Sequence, residues 1–187
     1  MTTIELLSAD QAHDALPDLV ELLQDSVAHG ASIGFLPPLA DDEAQHYWQG
    51  VIADLRHRSR MLLVARDEAG VIGTAQLDLP WKPNARHRAE VQKVLVHSRA
   101  RRRGIGRALM LEIEAVARQA GRSLLVLDTR QGDPAEQLYR QLGYIAAGVI
   151  PSYAQSADGQ LDPCVFFYRL LPDTSDGARH SSASAAD

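Results

Sequence analysis

The sequence carries a single cysteine, Cys164, so no intramolecular disulfide can form and a reducing compartment suits the chain. No apolar run reaches membrane-spanning length. The first residues, MTTIELLSADQAHD, lack the basic stretch followed by an apolar one that marks a secretory leader, so a cytoplasmic location with no membrane contact is expected. There is no basic excess either: the formal charge is −5, which argues against a general nucleic-acid-binding protein. The seven histidines fall at no ligand spacing and no cysteine pair accompanies them, so no metal site is expected. No serine or cysteine nucleophile motif is present. What remains is an ordinary globular composition in 187 residues, long enough for one domain with a substantial core and too short for two comfortable ones.

The chain is organised around Arg88 to Gly121, RAEVQKVLVHSRARRRGIGRALMLEIEAVARQAG. An apolar strand, Val91–Val96, enters an arginine-rich turn, then a glycine pair, then a helix whose Ile105, Leu109, Ile113, Val116 and Ala120 recur at helical spacing. Gly104 and Gly106 let backbone approach a bulky anion, and the helix's first-turn N–H groups and dipole favour negative charge. Arg99, Arg101, Arg102, Arg103 and Arg107 add side-chain charge, and the turn reads as a pyrophosphate cradle.

Around this unit, Thr3–Leu7 reads as a strand, followed by a helix with the stripe Leu16, Leu19, Val20, Leu23 and Val27, capped by Ser8 or Asp10. The apolar, glycine- and proline-punctuated GASIGFLPPL is a loop that packs over a core or lines a pocket. A second helix runs from Asp41 to about Arg58, and Met61–Arg66 and Val71–Leu79 form a hairpin. Ser123–Asp128 is a short apolar strand parallel to Val91–Val96, reached by the intervening helix as a crossover. A helix over Asp133–Leu142 starts on Pro134 and stops at Gly143. Tyr144–Ile150 and Val165–Leu171 are the last strands, joined by PSYAQSADGQLDP. The domain is expected to span 1–171, and the residues from Pro172 to Asp187 have nothing to bury and read as disordered. The fold class is α/β, a mixed sheet with helices on both faces.

A cradle alone does not name its ligand. A dinucleotide fold would want a third glycine, but the sequence here is GxGxxL, and seven residues separate Val96 from Gly104. Asp128 does lie near the position of a ribose-binding acid, which keeps that alternative open. No Lys-Ser or Lys-Thr pair follows the glycines, so a nucleoside-triphosphate loop is excluded.

RARRRGIG resembles the pyrophosphate signature of the GNAT acetyltransferases, in the position between strand and helix where that family has it. DTRQGDPAEQLYRQLGY resembles the family's later motif, an alanine, a tyrosine four residues on, then Gly-aromatic. Within the family the chain is most similar to the tabtoxin-resistance acetyltransferases, through GASIGF, AEVQKVLV, LDT and the PSYAQSADGQLDP region, a resemblance covering roughly Asp25 to Leu171. One departure is Gly132, where many members carry an asparagine that contacts the cofactor. The resemblance implies a mostly antiparallel sheet with one parallel pair splayed at the cofactor site. It also implies direct acetyl transfer from acetyl-CoA to a primary amine, that of a small amino-acid-like or toxin molecule.

On that reading Val94, Leu95 and Val96 hold the pantetheine as an extra strand would, with a β-bulge making room. Arg101, Arg102, Arg103, Gly104, Ile105, Gly106 and Arg107 hold the diphosphate, and an N–H near Leu95 polarises the thioester carbonyl. Glu90 and Asp128 are the candidate bases. Pleat alternation sets Glu90 with Gln92 and Val94 on one side; its plain alternative is an ion pair with Arg86 or Arg88, and that of Asp128 a cap on the next turn. Tyr139 is the candidate acid for the departing thiolate, against a plain role in the core. Tyr153 is placed near the substrate and Cys164 is a small buried hydrophobe. Expected partners are a small-molecule amine and no nucleic acid, with a homodimer left open. Acetylation of a protein N-terminus or lysine, and a non-catalytic acetyl-CoA sensor, are the rival functions.

Overall fold

A computed structural model describes residues 1–172. The tail expected to be disordered lies, but for Pro172, outside the described residues. Seven strands form one sheet in the order β1 (Thr3–Leu6), β2 (Arg60–Asp67), β3 (Gly70–Asp78), β4 (Arg88–Val96), β5 (Leu124–Arg130), β7 (Leu161–Leu170), β6 (Ile145–Gln155). Every neighbouring pair is antiparallel except β4 with β5. The expected mixed, mostly antiparallel sheet is therefore observed.

Pleating sends alternate residues to two separate cores. Leu63, Ala65, Ala89, Val91, Leu125 and Leu127 pack against α4 (Ile105–Gln119) and α5 (Pro134–Gln141). Leu62, Val64 and Leu95 pack on the other face against α1 (Ala9–Asp14), α2 (Leu16–Ala28) and α3 (Asp41–Arg56). Among the described residues no helix is long and apolar enough to cross a membrane.

The helix read between residues 8 and 30 is two helices. Ser8 and Gln11 make a reciprocal capping box for α1, and α2 restarts from Ala15 with Pro17 in its first turn. Proline lacks the N–H that a continuous helix would need and crowds the preceding turn, so the chain breaks there. The last hairpin is longer than expected: β6 runs to Gln155 and β7 starts at Leu161, leaving only 156–160 as the turn. Pro151 is tolerated because β6 is the sheet's edge, with a register irregularity at Ser152, where φ is 53°.

Candidate active site

Two irregularities in β4 create the site. On one side its pairing with β5 stops after Glu90 opposite Val126, so beyond that rung the parallel strands separate and β4 has a free edge. On the other side, two residue steps along β3 (Thr74 to Gln76) span three along β4 (Leu95 to Gln92). The extra residue is a bulge at Lys93, whose φ is 49°, and the buried Thr74 Oγ1 donates to the Lys93 carbonyl at 2.9 Å.

The bulge corrects the pleat-based placement of Val94. Val94 and Val96 turn toward the α4 and α5 core, and Lys93 joins Gln92 and Glu90 on the opposite face. Unbroken alternation would have done the reverse. The expected bulge is thus present, with consequences for side-chain direction that a regular strand does not have.

The phosphate turn leaves β4 through His97. Ser98 gives its N–H (2.7 Å) and hydroxyl (2.6 Å) to the two oxygens of Asp25 on α2, which pins the turn to that helix. Burial alone would raise the Asp25 pKa, but the Ser98 bonds and the nearby His97 and His29 bring it below the ordinary value. Arg99 is engaged by the β2–β3 turn: it forms a two-point pair with Asp67, at 2.9 and 3.3 Å. Arg101 Nε donates to the Val96 carbonyl.

From Arg102 to Arg107 the backbone N–H groups find no acceptor among the described residues. Arg102 (φ 61°) and Gly104 (φ 77°) are left-handed, which curls this run, and a Cβ at Gly104 would meet nothing within 4 Å. Gly106 adds a packing role. A Cβ there would touch Leu138 and Val96, so the missing side chain serves helix packing, while its N–H stays in the unpaired run. Six unpaired amides at the start of a fifteen-residue helix fit a diphosphate group. At the end of β5, Gly132 gives its N–H to Glu136 at 2.8 Å.

Glu90, Gln92, Lys93 and Asp128 share the α3 face of the split. Glu90 makes no ion pair with Arg86 or Arg88 among the described residues; it accepts from Gln92 Nε2 at 2.8 Å. Asp128 does not cap the following turn, a task taken by Glu136. It opens into the crevice, yet burial on its other sides raises its pKa, Glu90 adds to the rise and Lys93 opposes it. Tyr139 lies on the other face, buried against Phe167 and Tyr144, with its pKa raised by burial and then by Asp128. A group entering between the strands therefore meets the carboxylates on the α3 side, and Tyr139 belongs to the core behind the other side.

Walls complete the α3 side. Tyr47 stands edge-on to Phe35 of the 29–40 loop and to Trp48, with its hydroxyl on Gln76. Arg60 is held by Asp54, Asp78, Gln76 and Gln92. Across the crevice, strand register sets Phe166 beside Asp128, and Tyr153 stands edge-on to Phe166 at 5.1 Å. Arg130 ties Gly30, Asp133, Ser156 and Asp162 together, joining the 29–40 loop to the β6–β7 turn. Sequence reading missed Tyr47, Arg60, Lys93 and Arg130. Only Lys93 leaves a trace in the sequence: adjacent polar residues, Gln92-Lys93, interrupt an apolar strand, as a bulge does. Cys164 is buried, which raises its pKa.

Comparisons with known proteins agree with this fold. The model of the Acetyltransferase (GNAT) family matches residues 18–144. An uncharacterized N-acetyltransferase of the hisH-hisA intergenic region of Azospirillum brasilense is 32% identical over 131 residues, covering 69% of this chain and 76% of that protein. The ribosomal-protein-alanine N-acetyltransferase of Brucella melitensis has a TM-score of 0.74 at 28% identity, over 90% of this chain and 99% of its own. The GNAT superfamily phosphinothricin acetyltransferase of Sinorhizobium meliloti, solved in complex with AcCoA, has a TM-score of 0.75 over 93% of this chain and 90% of its own. At 22% identity that likeness is one of fold.

Proposed function

The chain belongs to the GNAT acetyltransferase family, and we propose that it transfers an acetyl group from acetyl-CoA directly to the primary amine of a small amino-acid-like molecule, a toxin or antibiotic among them. The observation that carries the reading is the run of six unpaired backbone N–H groups, Arg102 to Arg107, beside the opened edge of β4. Arg102, Arg103 and Arg107 add charge around the same bend, and Val94 to Val96 offer a strand edge to an extended chain. Acetyl-CoA supplies the acetyl group as a thioester.

On the other side of the split, Glu90 and Asp128 take the proton that the attacking amine must lose. Asp128, with its raised pKa, is a stronger base than a free carboxylate. Tyr139 stays protonated in its buried site and offers its hydroxyl to the departing sulfur. The tie from Arg130 to Gly30, Ser156 and Asp162 supports an acceptor that fits a bounded pocket.

Acetylation of a protein N-terminus is the second reading, favoured by the 28% identity to a ribosomal-protein-alanine N-acetyltransferase, and would need an open groove. Thiol release from acetyl-CoA, measured across small amines and short peptides with mass spectrometry of the products, separates these. The proposal expects release with small amines. Release with peptides alone selects the second reading, and binding of acetyl-CoA with no release from any amine would make the chain a non-catalytic sensor.

A further inference from the structure

Lys93 is one of only two lysines in a chain whose Lys and Arg residues number 19. The bulge turns it onto the acceptor face, where its ammonium stands 5.5 Å from the centre of the Tyr47 ring. The second cation on that face, Arg60, is fully engaged by Asp54, Asp78, Gln76 and Gln92. Lys93 is not: among the described residues no carboxylate comes within 4.0 Å of its ammonium, and no hydrogen-bond acceptor holds it. It is half-buried, and that partial desolvation, followed by Arg60, lowers its pKa. A half-buried ammonium beside the split, with no protein acceptor for its three donors, is open to an acceptor brought by a ligand.

Glu90 and Asp128 lie within electrostatic reach of Lys93 but do not pair with it. One face of the split thus presents two anions and a cation side by side. An α-amino acid has the complementary pattern, since a single carbon separates its amine from its carboxylate. Resting on the acetyl-transfer reading, we infer that Lys93 binds the carboxylate of the acceptor while Glu90 and Asp128 receive its amine. The acceptor class is then an α-amino acid with a free carboxylate. A polyamine would bring a second cation against Lys93, and a peptide N-terminus would bring an uncharged amide there.

Two lysines make the test clean, because protein labelled with ¹³C-lysine gives two side-chain signals, assigned with Lys93→Met. Glycine, L-alanine, L-methionine and L-glutamate are each titrated against the matching α-amide, with CoA present so that no transfer occurs. The Lys93 signal should move saturably with the acids at roughly tenfold lower concentration than with the amides, while Lys82 holds still. A Lys93 signal that ignores every acid, or answers acid and amide alike, overturns the inference.

Turnover gives the second readout. The kcat/KM ratio of acid to amide should be about tenfold or more in the native enzyme, fall toward one in Lys93→Met, and recover in Lys93→Arg. A ratio unchanged by Lys93→Met also overturns it. If the acids move Lys93 but no amine is acetylated, the anion site stands and the transferase reading falls. If amines are acetylated without acid preference, the outcome is the reverse.

Discussion

Thr74→Val tests whether the bulge builds the site. Thr74 is fully buried, and its hydroxyl gives the 2.9 Å bond to the Lys93 carbonyl. Valine keeps the shape and removes the donor, leaving that carbonyl without it, at a cost of about 1–3 kcal/mol. Reverting to a regular strand would relieve the left-handed backbone of Lys93, worth about 1–2 kcal/mol. It would also drive the lysine toward the α4 core and Val94 out of it, so the bulge persists in the variant, less firmly held. For a domain of this size about 2–4 °C of Tm is lost per kcal/mol, so a fall of roughly 2–12 °C is expected in a thermal melt. Turnover at a temperature where the variant is fully folded should fall as well, since Lys93 and Leu95 are set by the same turn. Thr74→Ser keeps the donor and should retain the turnover. A Thr74→Val variant with native Tm and native kcat/KM would refute the reasoning.

Three further outcomes are expected. Gly104→Ala and Gly104→Glu share the strain of a side chain at φ 77°, about 1–2 kcal/mol of stability read as a lowered Tm, but only the glutamate should also abolish acetyl-CoA binding in calorimetry. Tyr139→Phe keeps the ring packing on Phe167 and Tyr144; kcat should fall by roughly 10²–10⁴ with acetyl-CoA affinity held, and lost affinity at unchanged kcat would make the hydroxyl a binding contact. The acidic limb of the kcat/KM profile follows Asp128, which must be deprotonated to act and whose pKa burial and then Glu90 raise above 3.8. Glu90→Gln removes one raising influence, so the limb should move to lower pH; an unmoved limb would separate Asp128 from the chemistry.

Much of this architecture was legible in the sequence because it rests on local signals. The periodicity of α4, the glycine pair ahead of it and the apolar run of β5 each state their structure within a dozen residues. The carboxylates Glu90 and Asp128 come together because β4 and β5 pair in parallel only as far as Glu90 and Val126. The parts that escaped are set by partners distant in the chain. Lys93 changes face because Thr74, nineteen residues earlier, captures its carbonyl. Arg99 pairs with Asp67 because the β2–β3 hairpin brings that carboxylate alongside it. Arg130 draws on Gly30, one hundred residues away, a contact that no local pattern announces.

The amides of Arg102 to Arg107 are the most direct place to look for the donor. In a ¹H–¹⁵N spectrum of the full chain, acetyl-CoA should move all six of these signals, and S-acetylpantetheine, which has no diphosphate, should leave them in place. Signals in that bend that stay put while acetyl-CoA binds, or that answer both compounds equally, would contradict the assignment of the turn.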